Sequence, residues 1–252
     1  MDLIVIAAIA FVTSILSGLL GIGGAVLLIP AYHYLPPLFG ATPISVPHIS
    51  GMTSVQVLVS SIAGTIVHRS KGTVNRPLVL TMGIPITVTA FIGSLISGLI
   101  PPHIILSLFG AMALAGAALI IARQAHDETD FHAQFSRSTA IAIAAVVGLF
   151  GGIVGAAGGF LLAPLMMVFL KVPIRMTIGS TLGIVVVSAL ATSVGKLITG
   201  QVLPIETAVA VAASLPGVIA GSLASHRARP SALRFVLALL IALIGISMFF
   251  QY

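Results

Sequence analysis

Long apolar stretches alternate with short polar or glycine-rich breaks along the whole chain. A first apolar region covers 3–35 and is interrupted at Gly18-Leu-Leu-Gly21-Ile-Gly23-Gly24. Three uninterrupted stretches follow at 44–68, 77–100 and 102–122. A polar segment over 123–137 holds three of the five acidic residues. A second interrupted region covers 138–170 and is broken at Gly151-Gly152-Ile-Val-Gly155-Ala-Ala-Gly158-Gly159. Three more stretches close the chain at 173–199, 204–225 and 231–251. A membrane-spanning helix takes about 20 apolar residues, and each uninterrupted stretch supplies them. The runs are continuous rather than alternating, which excludes a transmembrane β-barrel.

The order of stretches occurs twice, and so do particular residues. Gly18, Gly21, Gly24, Leu27, Leu28 and Pro30 recur 134 residues later as Gly152, Gly155, Gly158, Leu161, Leu162 and Pro164. Further on the offset is 128: Gly51, Thr53, Ser60, Gly72, Gly93, Ser94 and Pro102 recur as Gly179, Thr181, Ser188, Gly200, Gly221, Ser222 and Pro230. Two similar halves are expected, over 1–123 and 138–252, joined by a cytoplasmic linker over 124–137.

Composition sharpens the class. Of 252 residues, 58% are hydrophobic and 6% charged, whereas a soluble domain is about a quarter charged. With no cysteine, disulfides, thiol chemistry and cysteine metal sites are excluded. The start, Met1-Asp2-Leu3, lacks the positive segment of a signal peptide and reads as a structural helix.

The net charge of +6 points to topology rather than nucleic acid. If each broken region crossed the membrane once, the eleven basic residues would split six to five between its sides. If each enters and returns, Arg69, Lys71, Arg76, Arg123, Arg137, Lys171, Arg175, Arg227, Arg229 and Arg234 share one side, with only Lys196 opposite. Basic residues gather on the cytoplasmic side, so the second arrangement is expected. Each half then makes three full crossings, and the halves are inverted with both termini outside. The returning arm over 25–35 would be about 16 Å long, half the hydrocarbon thickness. The expected fold is an all-α polytopic membrane protein of two inverted repeats. Each repeat has one re-entrant helix–loop–helix with short arms and three transmembrane helices.

The two breaks are the first candidates for chemistry. Irregular backbone at membrane depth is tolerated only when buried in protein or lining a wet cavity. A helix restarting after each break presents unpaired amides and a positive dipole end, which favour an anion. The expected donors are the backbone at Gly21, Gly23, Gly24 and Ala25, and at Gly155, Gly158 and Gly159, with the two tips meeting near the membrane midplane. Against this stands tight helix packing, which also uses small residues. The repeated segments holding Thr53, Ser54, Ser180 and Thr181 offer hydroxyl donors, although such hydroxyls commonly bond back to their own helix. His48 and Arg175, each just after a proline, stand at the expected pathway mouths. No spacing suggests a metal, and no cofactor is expected. No carboxylate falls mid-span, so the usual proton relay is missing.

The motifs Gly18-Leu-Leu-Gly-Ile-Gly-Gly-Ala-Val-Leu-Leu-Ile-Pro30 and Gly155-Ala-Ala-Gly-Gly-Phe-Leu-Leu-Ala-Pro164 resemble the glycine-rich hallmark of the TauE/SafE sulfite-exporter family, also called the toluene-sulfonate-uptake-permease (TSUP) transporters. The Gly-x-Thr segments at Gly51 and Gly179, and His68-Arg-Ser-Lys-Gly72-Thr-Val74, are similar to further signatures of that family. The resemblance covers nearly the whole chain. It implies a carrier in a bacterial or archaeal inner membrane, often an exporter, for a small sulfur-containing anion: sulfite, thiosulfate, sulfoacetate or another sulfonate. Ala25 departs from the pattern, where a third glycine is common, and the lack of cysteine excludes a thiol relay. Expected partners are the small anion and the lipid bilayer, not nucleic acid; a homodimer is left open. The residues alone also leave an anion channel on the same scaffold, an intramembrane enzyme around His48 and Ser50, and a purely structural subunit.

Overall fold

The computed structural model describes residues 2–20, 25–122 and 135–249. Among these, ten α-helices follow one another: α1 (Asp2–Leu20), α2 (Ala25–Leu38), α3 (Val46–Ser70), α4 (Arg76–Ile96), α5 (Pro102–Ala122), α6 (Arg137–Val154), α7 (Gly159–Phe169), α8 (Ile174–Ile198), α9 (Pro204–Ser225) and α10 (Pro230–Phe249). A one-turn 3-10 helix, Ser97–Leu99, follows α4. Seven described helices are long and apolar enough to cross a membrane: α1, α3, α4, α5, α6, α8 and α9. The protein is a multi-pass, all-helical membrane protein.

One expectation needs correction. The first arms of the broken regions are not short: α1 has 19 residues and α6 has 18, about 28 and 27 Å. Only the second arms are short, with 14 residues in α2 and 11 in α7, about 21 and 16 Å. The helix runs through Gly18 and through Gly148, Gly151 and Gly152. A glycine inside a helix costs only about 1 kcal/mol. Here Gly18, Gly148 and Gly152 let a neighbouring backbone approach to where a Cβ would stand, a packing gain that opposes the cost.

The polarity of the molecule follows the bilayer rather than water. The outer surface carries large apolar side chains; on α4, Leu80, Ile84, Val88, Ile92 and Ile96 form an exposed stripe at four-residue spacing. The buried set includes hydroxyls and amides of the core helices: Ser50, Thr53, Ser54, Gln56 and Ser60 on α3, and Thr177, Ser180, Thr181, Ser188 and Thr192 on α8.

Hydrogen bonds fix which loops share an end of the bundle. Thr42 Oγ1 donates to Asp2 Oδ2 at 2.8 Å, so α1 begins beside the loop after α2. Gln201 donates to Ser97 Oγ at 3.1 Å and packs on Gly51, adding the α4–α5 and α8–α9 loops to this Asp2 end. At the opposite end Asn75 N donates to Ser180 Oγ at 2.9 Å, and Arg175 donates to the carbonyls of His226 (3.2 Å) and Ala228 (3.1 Å). Gly148 packs on Ile86 and Gly152 on Ala90, so α6 runs alongside α4 in the same direction, from this second end. Arg69, Lys71, Arg76, Arg137, Lys171, Arg175, Arg227 and Arg229 therefore all gather at one end, hereafter the basic end, while Lys196 stands at the Asp2 end.

Contacts repeat with the offsets of the sequence. A Cβ on Gly18 would strike the Val218 carbonyl, and one on Gly152 would strike the Ala90 carbonyl. A Cβ on Gly221 would strike Ile15 O and Leu19 N, and one on Gly93 would strike Leu149 O and Ile153 N. Each member of the first contact maps onto the second by 134 or 128 residues. The pair α1 with α9 thus corresponds to α6 with α4, and α6 runs from the end where α1 finishes.

Candidate functional site

The second break is a buried piece of irregular backbone. α6 ends in a Schellman motif: Ala156 N donates to Gly151 O (2.9 Å) and Gly155 N to Gly152 O (3.3 Å). This ending needs a left-handed residue, and Gly155 has φ +84°. Ala157 (φ +50°) and Gly158 (φ +73°) are left-handed too, and Gly158 caps the start of α7. Ala156 and Ala157 are fully buried.

Two core helices hold this turn. Ser50 Oγ, on α3, donates to Val154 O at 2.8 Å, and a Cβ on Gly155 would strike Ser50 itself. From α8, Ser188 Oγ donates to Ala157 O at 3.0 Å. The break's carbonyls are thus partly satisfied by side chains. At the start of α7, the amides of Gly159 and Phe160 have no intrahelical acceptor, as at any helix start. One turn along α3 from Ser50, on the same face, Thr53 Oγ1 is fully buried and has no hydrogen-bond partner. Together these make a dry, donor-rich turn backed by a positive dipole end.

The other expected donors scatter. Gly21, Gly23 and Gly24 lie outside the described residues; Ala25 opens α2 and is buried. Ser54 Oγ bonds back to Gly51 O in its own helix at 2.7 Å. Ser180 Oγ accepts the Asn75 amide before α4. Thr181 Oγ1 reaches Met166 Sδ in the middle of α7, at 3.6 Å. The second break sits by Ser50, in the first two turns of a 25-residue helix, so it lies toward the Asp2 end rather than at mid-depth.

The mouths also sort themselves. His48 Nδ1 lies 2.9 Å from Ser45 Oγ at the start of α3. Ser50 is bonded to the break, so the nucleophile–base pair of an intramembrane enzyme is not formed. Arg175 pins the loop after α9. Beside it, a cavity of about 470 Å³ is lined by Lys71, Ala220, Leu223, Ala224, His226 and Arg227. Burial, with Lys71 and Arg175 close by, pushes the His226 imidazole below its usual range. Among the described residues no cluster of His, Asp or Glu could hold a metal.

Sequence reasoning missed two buried polar networks. Tyr32 donates to Gln56 Oε1 at 2.8 Å, and Gln56 Nε2 to Ser14 Oγ at 3.5 Å, tying both arms of the first broken region to α3. Lys196 Nζ donates to Ser97 Oγ (2.7 Å), Gln201 Oε1 (2.9 Å) and Ile153 O (3.1 Å). A polar residue inside an apolar run was the available signal for each.

Comparison with known proteins agrees with this architecture. The family model described as "Sulfite exporter TauE/SafE" matches residues 6–248. The chain is 22% identical over 269 residues to the "Probable membrane transporter protein YunE" of Bacillus subtilis (strain 168), covering 100% of this chain and 98% of that one. It is 33% identical over 169 residues to a "Probable membrane transporter protein" of Xylella fastidiosa (strain Temecula1 / ATCC 700964), covering 66% of this chain and 62% of that one. No solved structure shows significant similarity to the chain. A family match spanning nearly every described helix settles the assignment: the chain belongs to the TauE/SafE sulfite-exporter family of membrane transporters.

Proposed function

We propose that the protein carries a small sulfur-containing anion across a bacterial or archaeal inner membrane, as an exporter, and that the anion is seated at the glycine-rich breaks. The candidate anions are sulfite, thiosulfate, sulfoacetate and other sulfonates. The observation that carries the reading is the buried turn over 155–159, clasped by Ser50 and Ser188, with the unpartnered Thr53 hydroxyl one turn along α3 from Ser50 and with the start of α7, whose first amides have no acceptor within their own helix. An anion there would gain hydrogen bonds and a favourable dipole in a site shielded from water. The first broken region, from Gly21 to Ala25, is its counterpart in the other half. The sulfur chemistry comes from the family; the residues argue for a small anion.

The same reading takes the halves, 1–123 and 138–252, as inverted repeats. The exchange of α1–α9 contacts for α6–α4 contacts supports this, as does the opposite direction of α1 and α6. The basic end then faces the cytoplasm, and both termini lie outside. The test is flux from liposomes preloaded with sulfite, thiosulfate, sulfoacetate or chloride. Saturable efflux of at least one sulfur anion, abolished by Gly158→Val, is expected. Flux of none of the three sulfur anions overturns the reading, and flux of all four that never saturates identifies a channel instead.

A further inference from the structure

The core helices α3 and α8 finish in matching polar turns at opposite ends of the bundle. His68 and Lys196 stand 128 residues apart, the offset that relates the halves. Both are buried, at 1% and 0% exposure, in a chain with few polar residues to spare. Each is followed four residues on by a left-handed glycine, Gly72 (φ +71°) or Gly200 (φ +69°). The next residue returns its amide to the starting carbonyl: Thr73 N to His68 O at 3.2 Å, Gln201 N to Lys196 O at 2.9 Å. Its side chain then meets the buried group, Thr73 Oγ1 at 3.2 Å from His68 Nδ1 and Gln201 Oε1 at 2.9 Å from Lys196 Nζ.

Lys196 also reaches the last turn of a broken helix. Lys196 Nζ donates to Ile153 O, in the final turn of α6. The closing carbonyls of a helix have no intrahelical donor and carry the negative end of its dipole. At a break inside the protein, a donor from another helix must satisfy them. Lys196 does so without a carboxylate: its three hydrogen bonds go to a hydroxyl, an amide oxygen and a backbone carbonyl. Burying an ammonium this way is costly, more than plain packing would require. His68 keeps its Nε2 without a partner and stacks on the His226 ring at 4.7 Å.

We infer that Lys196 is a positioning residue that fastens the end of α6, the first arm of the second broken region, to the end of core helix α8, so that the second break is held from the Asp2 end of the bundle. The bearing of this on transport rests on the anion-carrier reading; the fastening itself does not.

The absence of cysteine allows a direct test in the full-length protein in detergent. Two single-cysteine reporters are placed at fully buried positions, Ala25→Cys at the start of α2 and Ala156→Cys in the second break. Their modification by a water-soluble maleimide is timed. Lys196→Met should speed modification at 156 about tenfold, the loss of roughly 1.4 kcal/mol expected for one hydrogen bond to a charged group, and leave 25 unchanged. Lys196→Arg should restore the slow rate. His68→Leu, in the matching turn at the other end, should leave 156 unchanged. Should Lys196→Met fail to fold, Gln201→Leu removes one of the three acceptors and should speed modification at 156 by a smaller factor. Equal acceleration at both reporters, or none at 156, overturns the inference. Because labelling needs no substrate, a protein that carries no anion yet shows the selective labelling loses only the carrier reading. One that transports normally yet lacks the selectivity loses only the fastening.

Discussion

At the scale of single residues, Gly155 shows how much of this protein depends on what a side chain would displace. Two costs attend any substitution there: a left-handed backbone, and collision with Ser50. Gly200 has nearly the same torsion, φ +69°, with open space around it. The pair separates the two costs. Gly200→Ala should lose about 1–2 kcal/mol of stability from backbone strain alone. Gly155→Ala should lose a further 1–3 kcal/mol or so from overpacking. Thermal unfolding of the two variants in the same detergent checks this; equal losses would mean that Ser50 moves aside freely. The importance of Gly155 was legible from its repeat of Gly21. The partner it packs against was not, since Ser50 lies 105 residues away and nothing local encodes that approach.

At the scale of elements, the six uninterrupted stretches were legible because each is one long apolar run with Pro or Gly at its ends. Expected bounds such as 204–225 and 102–122 coincide with α9 and α5. The broken regions were harder. A cluster of glycines reads as a helix stop, yet α6 continues through Gly148, Gly151 and Gly152 because α4 and the turn over 157–158 fill the space where side chains would stand. Only the left-handed Gly155 ends it. Serines and threonines were legible as a set on α3 and α8 but not one by one. Ser50 and Ser54 share a helix face, so whether a hydroxyl meets the break, as Ser50 does, or its own helix, as Ser54 does, depends on its rotamer and its height along the helix. The return of the first broken region rests on the bond between Thr42 and Asp2 and makes a prediction about sidedness. In spheroplasts, Leu38→Cys and His103→Cys should react with an impermeant maleimide added outside, whereas Ser70→Cys and Lys171→Cys should react only after lysis. External labelling at 171 would mean that the second broken region crosses, which would end the inverted arrangement.

At the scale of the whole molecule, charge is sorted into two unlike ends. Eight described basic residues share one end, and the described acids, Asp2 and Glu206, begin α1 and α9 at the other. Among the described residues no carboxylate lies mid-span to relay a proton; Asp2 and Glu206 stand in the first turns of α1 and α9. Membrane voltage and the anion's own gradient are then the available driving forces. One charge falling through 100 mV gains about 2.3 kcal/mol. A divalent anion leaving a negative interior gains about 4–5 kcal/mol, enough to sustain a gradient on the order of a thousandfold. Under the proposed export reading, the cycle would need no coupling ion. With the basic end facing the cytoplasm, as proposed, the recess of Lys71, His226 and Arg227 would concentrate anions at that mouth. In liposomes whose voltage is clamped with potassium and valinomycin, efflux of a divalent sulfur anion should rise as the interior is made more negative. It should ignore imposed pH or sodium gradients at fixed voltage. Flux that follows either gradient and disregards voltage would show that a coupling ion drives the cycle, bound by groups other than carboxylates within the described spans.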